Sequence, residues 1–192
     1  MLKPDMMSII IQPISFDLTP DLSPLLETHL SKEFNVSVRT STINETAPFN
    51  SFNKQRNQWN SSNILEWLLD RNKPDGSTKI LGLCDFDAYS NDLNFVFGEA
   101  HINGKASAIY LPRLRQDFYG VRTDNSLFCQ RIVKEAVHEL GHAFGLNHCN
   151  NTRCVMHFSN SLHDTDIKEN IFCSICGIQV RRWMIWYQKS RF

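Results

Sequence analysis

No stretch of this 192-residue sequence is apolar for long enough to cross a bilayer; the strongest runs, such as Ile9-Ile10-Ile11 and Ile64-Leu65, end almost at once. An excess of either charge is also missing. The 20 Lys and Arg residues balance 20 Asp and Glu residues, so net charge gives no attraction to nucleic acid or to an anionic membrane. The opening MLKPDMMSIIIQPI carries Lys3, but Asp5 interrupts it and no small-residue cleavage site follows, so secretion is not expected. A cytoplasmic location is expected instead, and Asn-x-Ser/Thr triplets such as Asn44-Glu45-Thr46 then say nothing about glycosylation. There is no internal repeat. Methionine is scarce: beyond Met1, Met6, Met7 and Met184 there is only Met156.

Cysteine occurs six times. In a reducing compartment metal ligation is a better first reading of clustered cysteines than disulfides. Cys84 and Cys129 stand alone in apolar surroundings, ILGLC and LFC, and read as small core residues. The other four, Cys149, Cys154, Cys173 and Cys176, fall late and close together.

The elements alternate. Ser8 to Ile11 reads as a strand, and Leu18 to Phe34 as a helix with Leu22, Leu25, Leu26 and Leu30 on one face. Val36 to Thr42 alternates as a strand should. The polar stretch NETAPFNSFNKQRNQWNSSN reads as a loop or surface insertion, and a helix capped by Ser61 or Ser62 follows it. Lys79 to Cys84, Asn94 to Glu99 and Ala106 to Leu111 read as strands, the last two joined by a turn at Asn103-Gly104. This order implies an α/β fold: a mixed, twisted sheet, mostly parallel, with one antiparallel edge strand. Residues 1–192 read as a single domain, an N-terminal lobe over 1–145 and a smaller C-terminal lobe over 146–192.

Leu127 to Phe144 reads as a long helix with Ile132, Val133, Ala136, Val137, Leu140 and Ala143 as its apolar stripe. His138 and His142 lie four apart, so both imidazoles leave one face, about 6 Å apart at the β-carbons, and can share one zinc ion at about 2 Å each. Glu139 sits beside the ion without ligating it, where it can take a proton from an attacking water. Gly145 suits the left-handed turn that ends a helix, and the returning chain can bring His148 to the same ion. HExxH alone arises by chance in on the order of one chain in a hundred of this length; Gly145 and His148 at this spacing make coincidence far rarer. Three ligands and a base indicate a catalytic zinc site.

Cys149 follows His148 directly, and in extended or turn backbone neighbouring side chains point opposite ways. Cys149, Cys154 and the pair Cys173-Ser174-Ile175-Cys176 match a closed four-cysteine zinc site, structural in role. Unmetallated thiols or two disulfides are the alternative. Two Zn2+ per chain are expected.

The run HExxHxxGxxHC, with Cys154, Met156 and the later CxxC, resembles the archaemetzincins, a metzincin-type zinc protease family. Weaker similarity reaches upstream through RNQW, DFDAY and NFVFGEA. The resemblance implies His138, His142 and His148 as catalytic zinc ligands, Glu139 as base, Met156 as the Met-turn residue beneath the zinc, and the four late cysteines as ligands of a second zinc. It also implies a metzincin-like fold in which a long active-site helix carries the site, a zinc-stapled C-terminal lobe closes it and NFVFGEA lies at the cleft rim. Sixteen residues separate Met156 from Cys173, one fewer than the family's usual spacing, which alters that loop but not the ligand set.

The remaining candidates are weaker. His101 reads as a strand-end residue and His157 as a wall residue, His29 and His163 as solvated, and Asp85 and Asp87 as loop residues, with support of the metal ligands as the alternative. The tail QVRRWMIWYQKSRF mixes four basic residues with Trp183, Trp186 and Tyr187; it reads as a closing helix, with stacking on nucleic-acid bases as the minor alternative. The expected function is a zinc-dependent peptidase acting on a peptide or protein substrate, as a monomer, without membrane or nucleic acid as partner. A non-enzymatic zinc scaffold is the rival, and Glu139 discriminates, since a structural site needs no base.

Overall fold

The computed structural model describes residues 7–90 and 93–189. β1 (Ser8–Ile14) lies between β2 (Ser37–Thr40) and β5 (Thr78–Cys84), parallel to both. β8 (Ala106–Tyr110) adds in parallel to β5, and β7 (Gly98–Ala100) closes the sheet as an antiparallel edge, giving the order β2-β1-β5-β8-β7. The expected mixed sheet with one antiparallel edge strand is present.

Strand alternation divides the core in two. Ile9, Ile11, Leu81, Leu83, Ile109 and Leu111 face one way and pack with α1 (Leu22–Phe34) and α3 (Asn125–Ala143). Ile80, Ala106, Ala108 and Tyr110 face the other and meet Ile64, Leu65 and Leu68 of α2 (Ser61–Asn72). On α1 the buried positions Leu22, Leu26, Leu30 and Phe34 recur every four residues, the period of one helix face. Residues after 145 share the first cluster: Val155, Met156, Phe172 and Val180 lie within it.

Four expectations need correction. The helix expected to be capped by Ser61 or Ser62 is capped by Asn60, whose Oδ1 accepts from the Asn63 N–H at 3.0 Å. The polar stretch expected as a loop contains β3 (Phe52–Asn53) and β4 (Gln58–Asn60), which form a second sheet with β6 (Ala88–Tyr89). Aromatic contacts hold it: Trp59 packs on Phe52 and Phe86, with ring centroids 4.4 and 4.6 Å away. The strand expected over Asn94 to Glu99 pairs only from Gly98 to Ala100. Before it, Phe95 leaves the ladder and takes the Arg113 guanidinium over its ring at 4.3 Å. Leu25, placed on the inner face of the first helix, is 43% exposed.

The C-terminal segment adds α4 (Leu162–Ile167) and α5 (Ser174–Lys189). The closing helix docks through Trp183, which meets Phe144 edge-on at 5.2 Å, donates to Asn103 Oδ1 and stacks with Tyr187. Trp186, by contrast, is exposed. The last three residues of the basic-aromatic tail lie outside the described residues.

Candidate active site

α3 is built to hold its C-terminal half rigid. Asp124 caps its start by accepting from the Leu127 N–H at 3.0 Å. Every residue from Arg131 to Ala143 is buried. Gly145, at φ 85°, ends it as expected: its N–H donates to His142 O and the Leu146 N–H to Gly141 O, the paired bonds of a Schellman turn. A side chain at Gly145 would be strained by this backbone and would also press on Trp183.

The three histidines converge. Their ligand atoms and one another's lie within 4.8 Å, with His138 and His142 buried and His148 exposed at the cleft. The Nδ1 of His138 donates to Val155 O at 2.7 Å, and that of His142 to Leu146 O at 2.8 Å. Each bond commits Nδ1 as the protonated nitrogen and leaves the Nε2 lone pair for a metal. The two Nε2 atoms are 3.1 Å apart, close to the roughly 3.3 Å spanned by two ligands about 2 Å from one tetrahedral ion. Burial pushes all three imidazoles below their ordinary pKa, His138 furthest, with the Lys168 charge adding to the shift. The neutral form that a metal requires is therefore the resting form.

Glu139 is buried in the cleft wall. Burial raises its carboxyl well above the usual range, and Glu135 adds to this while Lys168 opposes it. A dication beside it would oppose it further. Gly98 of β7 permits the arrangement: a Cβ there would fall 2.5 Å from Glu139 Cγ and 2.6 Å from Oε1. Gly141 does the same for Met156, since a Cβ at Gly141 would strike the Met156 sulfur and crowd Phe172. Met156 is fully buried under the histidine-bearing turn, and its carbonyl accepts from the Cys149 N–H.

The four late cysteines also converge, with their sulfurs within 4.8 Å of one another and Cys149 Sγ 3.9 Å from Cys173 Sγ. That is far longer than a disulfide and close to the roughly 3.8 Å between thiolates on a tetrahedral zinc. Burial acts to raise the Cys173 thiol, but the Cys176 N–H and neighbouring thiols outweigh it and bring it down to about 7. Burial holds Cys154 and Cys176 up. The donor set fits zinc in both clusters.

The cleft itself has a volume of about 430 Å³, with Phe95–Ala100 on one side, α3 on another and Phe158–Asn160 on a third. The weaker candidates stay outside both clusters. His101 follows β7 and faces Glu66 at 3.5 Å, His157 donates to Cys149 O at 2.8 Å, and His29 bonds Asn170 O. Asp87 and Asp85 are in a loop but not idle: they clamp Arg113 and Arg115 bidentately. Cys84 is buried and Cys129 partly so. Sequence reasoning missed Gly98, Gly141 and the buried pair Glu135–Lys168, 3.1 Å apart. Glu135 could have been flagged, being three residues before His138 and four before Glu139 on the same helix face.

The sequence profile of Peptidase family M54 matches residues 35–182. The archaemetzincin of Methanocaldococcus jannaschii is 39% identical over 88% of this chain and 90% of its own length. Among solved structures, the archaemetzincin of Methanopyrus kandleri superposes with a TM-score of 0.79 at 30% identity, covering 94% of this chain and 97% of that one. That of Archaeoglobus fulgidus, complexed with malonate, gives 0.75 at 36% identity over 90% and 99%. The chain therefore belongs to Peptidase family M54, the archaemetzincins, and is a zinc-dependent peptidase.

Proposed function

We propose that His138, His142 and His148 hold the catalytic zinc of this peptidase, that Glu139 is its general base, and that Cys149, Cys154, Cys173 and Cys176 hold a second, structural zinc, two ions per chain. The observation that carries this reading is the pair of Nε2 atoms 3.1 Å apart, each freed by a carbonyl that fixes the opposite nitrogen. Bound there, zinc supplies Lewis acidity toward a peptide carbonyl and toward water.

The chain's own groups do the rest. β7 is a sheet edge along the cleft, where an extended substrate can add as a further strand. Glu139 takes the proton of the attacking water and passes it to the leaving amine. Met156 supports the histidine-bearing turn from below. Residues 1–192 act as one catalytic domain, a reading favoured by the core shared between the segments before and after 145. A reducing compartment such as the cytoplasm suits the four thiols, and the chain is read as working as a monomer. No helix among the described residues is long and apolar enough to cross a membrane.

The test is metal analysis joined to a broad peptide screen. Protein purified without chelators should contain two zinc ions per chain and cleave peptides, and chelation should stop cleavage until zinc is restored. One zinc or none would overturn the two-site reading.

A further inference from the structure

Glu135 stands on the same face of α3 as His138, Glu139 and His142, and it borders the same cleft. Its side chain is 3% exposed. Oε1 accepts from Lys168 Nζ and from Thr165 Oγ1, each at 3.1 Å. No described residue donates to Oε2, and that oxygen is not among the buried polar atoms sealed from solvent without a partner. Glu135 itself is one of the residues lining the cleft.

A buried carboxylate oxygen without a protein donor leaves hydrogen-bonding capacity that a ligand can fill, and a charged partner makes the bond about twice as strong as a neutral one. Much of the surrounding wall is apolar, with Phe95, Phe97, Ile102 and Phe158 among its residues, which favours a side chain with an apolar stem and a cationic tip. Lys168 engages only one of the two carboxylate oxygens. The negative charge disfavours an acidic group at the same place.

We propose that Glu135 is a specificity-determining residue: it makes this part of the cleft a subsite for a substrate cation, an ammonium or guanidinium. The inference rests on the peptidase reading above, because it needs substrate to lie along α3. The cation can come from a Lys or Arg side chain or from a free peptide N-terminus.

The experiment uses non-cleavable peptide hydroxamates, whose hydroxamate anchors on the zinc of the three-histidine site, with zinc-loaded full-length protein. One arm compares Lys, norleucine and Glu at each position flanking the hydroxamate, all N-acetylated. The other compares free and N-acetylated norleucine ligands. In wild type, one cationic ligand should bind about tenfold to a hundredfold tighter than its neutral counterpart, and the Glu ligand no tighter than norleucine. A gain in the first arm assigns the subsite to a side chain, and a gain in the second to the N-terminus. In Glu135→Gln, which keeps an acceptor for Lys168 and Thr165, the preference should shrink to within about twofold. If that variant melts early, Glu135→Gln with Lys168→Met removes both charges together and should show the same loss. Equal binding of cationic and neutral ligands by wild type, or a preference that survives in these variants, overturns the proposal. Binding of no hydroxamate at all would sink the peptidase reading and the subsite with it.

Discussion

The two ligand clusters share a stretch of chain, since Cys149 follows His148, yet they are built in opposite ways. Two of the three histidines sit on one long buried helix, each ring held by a backbone carbonyl. The cysteines come from a loop after that helix and from the approach and first turn of α5, and brace one another through contacts such as the Cys173 N–H to Cys154 Sγ. Three nitrogen donors would leave a tetrahedral ion one open position, while four sulfur donors would leave none. On the proposed reading, ligand number and neighbours would separate a reacting site from a staple, although both donor sets fit the same metal.

The largest expected effect comes from breaking the staple. Cys173→Ser should lower stability by several kcal/mol and Tm by roughly 10 °C or more, because binding energy at a closed site is folding energy. His142→Ala should abolish hydrolysis while moving Tm by less than about 5 °C. Thermal melts and peptidase assays on both variants check the contrast, and an unchanged melt for Cys173→Ser would end the structural assignment. Next is Gly98→Ala, which pushes Glu139 aside. Hydrolysis should fall by roughly tenfold to a hundredfold, the scale for displacing a catalytic group by about 1 Å, with zinc content unchanged.

The smallest effect concerns the C-terminal end of α3. Lys79 is buried and donates to Ala143 O at 2.9 Å and Gly104 O at 2.6 Å, with its ammonium over the Phe144 and Trp183 rings. Burial, then the Lys105 charge, lower its pKa from 10.5 to about 8. Between these values the unfolded chain binds more protons than the folded one, so stability should rise with pH across the window and be lowest, for this group, below about 8. Lys79→Met lacks the dependence. Urea midpoints should therefore show wild type gaining on Lys79→Met from pH 8 to 10, by at most a few kcal/mol; a gap moving the other way would refute this.

What was legible in the sequence was local. His138, Glu139, His142, Gly145 and His148 are fixed by helix period and one turn, and CxxC by a single helical start. The antiparallel edge was legible because Asn103-Gly104 marks its turn, where Asn103 adopts φ 54°. What could not be read depends on contacts across long separations. Trp59 finds Phe86, Lys168 finds Glu135, and the Gly98 Cα hydrogen faces Glu139, none of which leaves a periodic signal. Phe95 illustrates the same point: its β-rich neighbourhood favours a strand, but Arg113 from beyond β8 takes its ring.

The central claim is that the three-histidine cluster does the chemistry with Glu139 as base while the four cysteines only hold the fold. Glu139→Gln keeps size and a hydrogen-bonding oxygen but cannot take a proton at neutral pH. Zinc content and peptide hydrolysis, measured on the same preparations of wild type and Glu139→Gln, test it most directly. The account predicts two zinc ions per chain in both and a rate lower by about a hundredfold or more in the variant. Equal rates at equal zinc content would contradict it.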